Sequence, residues 1–221
     1  MKSKLYFILG IILYMIVTPA FQCGDSPIND CTEYKQDTAM FHFEIPGNNA
    51  PVNILDTIKF VSIVSDTIHS VKGKHFFYPM TTLITSLQTY KVVQYNAAPA
   101  LNYANIEFNS VVKEGEFQNS PYQGYSILHN RLQPYNRMQA SLVAGVPGLY
   151  LVVVRLSDYS QFIREPNNYC DSYTGIFFIP EAQQQKQYWD QLGTSTLRLA
   201  GSNSFIVANK TDRNHFFVKV N

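Results

Sequence analysis

The sequence predicts a mainly β protein, an antiparallel β-sandwich with one short helix in its C-terminal region. Three observations carry that expectation. Apolar and polar residues alternate in many short runs divided by Pro, Gly and Asn, which is the pattern of half-buried strands joined by turns. Tyr and Phe number 15 each, and aromatic side chains favour a pleated, half-buried surface. A helical pattern with both a start and a stop occurs once, in residues 180–192, where Pro180 and Glu181 open the run and Gly193 closes it. Many strands with a single late helix pack as a sandwich.

The elements follow in order. Residues 39–45 form the first strand, with Phe41, Phe43 and Ile45 toward the core and Met40, His42 and Glu44 away from it. Residues 46–51 hold two prolines and a glycine and break the chain. Residues 57–64 form the second strand, framed by Asp-Thr-Ile triplets at Asp56 and Asp66; each Asp is expected to satisfy nearby backbone N–H groups. Residues 74–78 are extended, and residues 81–93 fit either a strand pair or a short helix, because Leu83, Leu87 and Tyr90 also make a helical stripe. Residues 101–112 alternate as one strand and residues 113–116 turn. Further strands fall at 124–130 and 137–143. Residues 148–155 are apolar on both faces and belong in the middle of a sheet. Residues 164–171 read as a polar loop, followed by strands at 175–179, 205–208 and 214–220, the last tied into a sheet.

The strand at 148–155 opens with Val146-Pro-Gly-Leu-Tyr150 and continues in valines. It resembles strand F of immunoglobulin-like sandwiches, where a tyrosine hydroxyl bonds back to backbone at the start of the strand. That resemblance implies an immunoglobulin-like sandwich and gives this role to Tyr150. The paired cysteines and core tryptophan of antibody domains have no counterparts, so the likeness is to the general class.

The first 22 residues are read as a signal peptide. Lys2 and Lys4 precede an uncharged apolar run over 5–17, and Thr18 and Ala20 follow it. The run is short of the roughly 20 residues a spanning helix needs. Cleavage before Phe21 suits ordinary signal peptidase. Cleavage before Cys23 suits lipid attachment to Cys23, although Ala20-Phe21-Gln22 departs from the usual Leu, small, Gly or Ala order. Residues 23–38 are then a tether, and residues 39–221 a single elaborated sandwich domain. Lipid on Cys23 leaves Cys31 and Cys170, which are read as a disulfide or, alternatively, as buried free thiols. In the chain-entropy picture a bridge closing so long a loop stabilises by roughly 4–5 kcal/mol.

Size and charge exclude several classes. The chain past the signal is long enough for one large core. Without Lys2 and Lys4 it holds 15 basic against 16 acidic residues, which argues against a nucleic-acid partner and against a polybasic membrane-surface protein. Hydrophobic residues make up 46% of the chain, too many for a disordered one.

Chemical signatures are sparse. His42, His69, His75, His129 and His215 lack the close pairing of metal ligands, and no C-x-x-C is present, so no metal or other cofactor is expected. Asp66, His69 and Ser70 invite comparison with a hydrolytic triad but lack a nucleophile elbow. Glu107, Glu114 and Glu116 fall at strand ends or turns, where solvated acids are the expectation. Tyr122, Tyr125 and Tyr135, among Asn119, Gln123, Asn130 and Asn136, combine aromatic faces with amides as sugar rings require; the competing reading is loop and edge packing.

Taken with the Asp-Thr-Ile strand, the Pro-Gly-x-Tyr strand and the Phe-Phe-Val-Lys-Val ending, the head of the chain resembles uncharacterised envelope lipoproteins of Bacteroidota-type bacteria. The resemblance implies location and fold more than chemistry. The expectation is a lipid-anchored, non-catalytic module of the cell envelope, at the outer membrane and facing either the periplasm or the surface, with an envelope protein or a glycan as partner. The alternative is a secreted hydrolase with its site on the loops at one end of the sandwich.

Overall fold

Alternation of large apolar residues in the first strand decides which way its sheet faces. Phe41, Phe43 and Ile45 are buried while His42 and Glu44 are exposed, as the period-2 pattern requires. The structure, a computed structural model, describes residues 35–47, 51–78, 82–104, 107–118, 124–156, 162–165, 168–202 and 205–221.

The strands run in the order β1 (Lys35–Glu44), β2 (Thr57–Ser65), β3 (Thr67–Ser70), β4 (His75–Phe77), β5 (Ile84–Tyr95) and β6 (Ala98–Tyr103). Next come β7 (Phe108–Glu114), β8 (Glu116–Gln118), β9 (Tyr125–Leu128), β10 (Asn130–Leu132), β11 (Tyr135–Ala144), β12 (Gly148–Leu156), β13 (Phe162–Glu165) and β14 (Asn168–Phe178). A 3-10 turn (Glu181–Gln183) and a short helix α1 (Gln187–Leu192) lead to β15 (Thr196–Arg198), β16 (Ile206–Asn209) and β17 (His215–Val220).

Among the described residues these strands form two large sheets. The nine-stranded sheet has the path β10-β11-β2-β1-β14-β13, with β3 beside β1, β4 beside β3 and β7 beside β11. The six-stranded sheet has the path β17-β12-β5-β9-β8, with β6 beside β5. One cluster of buried side chains draws on both: Phe41, Phe43, Phe60, Met138 and Phe177 from the first, Leu87, Ile127, Val152, Val154 and Phe216 from the second. This makes the fold a β-sandwich.

β12 lies between β17 and β5, as its double apolar face predicts. Tyr150, Val152 and Val154 point into the inter-sheet core. Leu151 and Val153 point the other way, into a second cluster with Trp189 of α1 and Leu197 and Val207 of the β15-β16 hairpin. Helix and hairpin thus cover the outer face of the six-stranded sheet.

Four expectations change. The helix or strand pair expected over 81–93 is a single strand from Ile84 onward, most of β5, paired along its length with β12, β9 and β6. The single strand expected over 101–112 is two, β6 and β7, which belong to different sheets. The polar loop expected over 164–171 is largely strand, because β14 forms a parallel ladder with β1 from Lys35↔Asp171 to His42↔Phe178. The helix expected over 180–192 is broken at Gln184–Lys186. Gln185 takes a left-handed φ of 52°, and buried Gln184 is held by its amide donating to the Ile179 carbonyl at 2.7 Å. Gly193, in the left-handed conformation, ends α1 as expected. No helix among the described residues is long and apolar enough to cross a membrane.

Candidate functional site

Glu107 shows how a residue expected at the solvated surface becomes structural. β5 carries Lys91, β12 carries Tyr150, and Glu107 precedes β7. The Tyr150 hydroxyl donates to the Val146 carbonyl at 2.9 Å, the backbone bond expected of it, and also to the Glu107 carboxylate. Lys91 Nζ donates to Glu107 Oε2 at 2.9 Å and sits 5.4 Å above the Tyr150 ring. Burial, and then the hydrogen bond and negative charge of Glu107, push the Tyr150 hydroxyl pKa up. The hydroxyl therefore remains a donor that pins the strand. The other two acids do not join Glu107: Glu114 pairs with Arg137 at 2.9 Å, and exposed Glu116 lies in the other sheet.

Asp66, His69 and Ser70 do not assemble as a triad. Asp66 is 4% exposed and takes both arms of the Arg131 guanidinium, at 2.6 and 2.7 Å. This fork is charge-assisted and geometrically specific, so the carboxylate orients no histidine. It also differs from the backbone capping expected of Asp66, whereas Asp56 does accept the Asn53 amide at 2.7 Å. Ser70 is buried and its Oγ accepts the Lys74 amide at 3.1 Å, while His69 faces solvent. Arg131 carried no sequence signal, since its partner is far off in the chain.

The five histidines sort into two kinds. His42 bonds Glu44 at 2.8 Å on the outer face of β1. His129, buried, bonds the Thr85 hydroxyl at 2.7 Å, and burial pulls its pKa down to about 3. His215 accepts the Trp189 indole N–H at 3.3 Å and is pulled down to about 4, again mainly by burial. His69 and His75 are different. Both are exposed, and they stand opposite each other across the β3-β4 hairpin with ring centroids 4.5 Å apart. Their separation of six residues hides the pairing from a search for close histidine spacing.

Of the tyrosine cluster, Tyr125 and Tyr135 are described and lie in different sheets, on β9 and β11. The Tyr125 hydroxyl donates to the Phe108 carbonyl at 2.7 Å, tying the six-stranded sheet to β7 of the other, and its ring packs against the inter-sheet core. That is the packing role. Tyr135 is half-buried beside Ser65. Tyr122, Asn119, Gln123, Cys23, Cys31 and the signal segment lie outside the described residues; Cys170 stands on β14.

No family model, no curated protein and no solved structure matches this chain. Among the described residues, α1 and β15-β16 cover the outer face of the six-stranded sheet, and no helix or hairpin so covers that of the nine-stranded sheet. Across it, Arg137, Ile63 and His42 stand in register on β11, β2 and β1, and Gln139, Val61 and Glu44 form the next row. Ile63 is 47% exposed. Charged groups of both signs beside the exposed Ile63 side chain on one sheet face are suited to contact with another surface.

Proposed function

We propose that this chain is an exported binding module, held at a bacterial envelope membrane by lipid on Cys23, that engages an envelope protein or a glycan through its sandwich surface. The basic, apolar and small-residue order before Cys23 supports export, and a third cysteine left over from any one pairing supports lipid on Cys23. One structural observation carries the binding reading: Asp66, Ser70, Glu107 and Glu114 are each engaged within the fold, while the sheet face around Ile63, where Arg137 pairs with Glu114 and His42 with Glu44, is open to solvent. The immunoglobulin-like assignment rests on the Tyr150 bond to Val146.

Stable anchoring requires more than one acyl chain, since each buried CH₂ contributes only about 0.8 kcal/mol. Radiolabelled palmitate should therefore enter the wild-type chain and not Cys23→Ala, and the variant should leave the membrane fraction. Equal labelling of both would overturn the anchor. Turnover within a panel of esters, peptides and glycosides would overturn the binding role.

A further inference from the structure

The β3-β4 hairpin holds an arrangement that the sandwich does not require. Ser70 N donates to Lys74 O at 2.9 Å, which makes the adjacent His69↔His75 pair the non-hydrogen-bonded kind. In such pairs the side chains approach most closely. The edge-on rings, 4.5 Å between centroids and 85° between planes, confirm the approach. His42, His129 and His215 each have a hydrogen-bond partner in the protein. His69 and His75 have none among the described residues; each touches the other.

A third donor stands in the same row. Met40 of β1 is the register partner of His69, half-buried and on the outward face. Directly opposed residues hold their Cβ atoms about 4.5–5.5 Å apart, a spacing that the long, flexible methionine side chain can bridge. We propose that Met40, His69 and His75 form a binding site for a soft monovalent cation, Cu(I).

The geometry and the charge agree with this choice. An imidazole nitrogen sits about 2.0–2.1 Å from a bound metal, which puts each ring centroid about 3.2 Å from it. Two rings at ligand angles of about 90–120° then have centroids about 4.5–5.5 Å apart, the range the hairpin already provides. Thioether and imidazole together select copper over the hard cations. Thioether and imidazole ligands bring no negative charge to the site, and such a donor set favours a single positive charge over a double one.

The test uses the full, tag-free chain in detergent, with free thiols alkylated, titrated anaerobically with the acetonitrile complex of Cu(I) against a chromophoric copper chelator. The wild type should bind about one more Cu(I) than the His69→Gln, His75→Gln double variant. Each single histidine variant should weaken that site at least about tenfold, the scale already seen for losing a mere outer-shell partner. Met40→Leu should weaken it severalfold, and His42→Gln should leave it unchanged. Far-UV circular dichroism establishes that the variants are folded, as expected for the exposed histidines and for the volume-conserving exchange at half-buried Met40. Equal binding by wild type and the double variant would overturn the site. Wild-type affinity in Met40→Leu would overturn the three-donor assignment, and so would loss of the site in His42→Gln.

Discussion

Tyr150 is fully buried, yet its hydroxyl serves two acceptors, the Val146 carbonyl and the Glu107 carboxylate. Removing the hydroxyl takes one donor from each, while Glu107 keeps Lys91 and Val146 lies at the exposed start of the strand, so the cost is that of an ordinary hydrogen bond, about 0.5–1.5 kcal/mol. Tyr150→Phe should lower the free energy of unfolding in urea by that amount, and a change under about 0.5 kcal/mol would contradict the role. The buried histidines set the response to acid. In the folded chain His129 and His215 stay neutral down to about 3 and about 4. Unfolding returns each to the ordinary range near about 6.5, so below that pH the unfolded chain binds more protons and stability falls. Stability is full above about pH 6.5 and declines toward the folded values, by about 1.4 kcal/mol per pH unit for each histidine. Urea unfolding at pH 7.5 and pH 5 should differ by about 2 kcal/mol per histidine, and His129→Gln should remove its share of the slope. An unchanged slope in that variant would contradict the burial argument.

At the scale of elements, β14 depends on a residue with no side chain. A Cβ on Gly175 would lie 2.5 Å from Leu156 Cδ1 and 2.6 Å from Phe41 Cε2, both in the inter-sheet core. Gly175→Ala should destabilise by about 1–3 kcal/mol through overpacking; a stability equal to wild type would show that the sheets part without cost. The elements that sequence reading found are those whose pattern is local. β12 and β17 alternate or stay apolar throughout and lie where that pattern puts them, whereas β1 begins at Lys35, so the polar residues 35–38 expected in the tether are strand, paired with β14. The corner between β6 and β7 left no mark, because Ala104 and Phe108 keep the same parity while the chain crosses between sheets. The break at Gln184–Lys186 left none either. It depends on distant partners, the Phe217 amide donating to the Gln184 carbonyl among them, and no Gly or Pro announces it.

At the scale of the whole molecule, the chain combines a sandwich with an export-like head. The sandwich was legible because periodicity reports burial, and the Tyr150 bond was legible because its partner is four residues away. The roles of Glu107, Arg131 and the His69-His75 pair were not, since each depends on a strand pairing that the local sequence does not encode. The central claim is that the head is discarded and the sheet-rich body remains tethered by lipid. Intact-mass measurement of the chain purified from membranes tests it most directly. The expected mass is that of residues 23–221 plus a diacylglyceryl group and an N-acyl chain, with the added mass absent from Cys23→Ala. A chain that keeps residues 1–22, or one that begins at Phe21 without added acyl mass, would contradict the account.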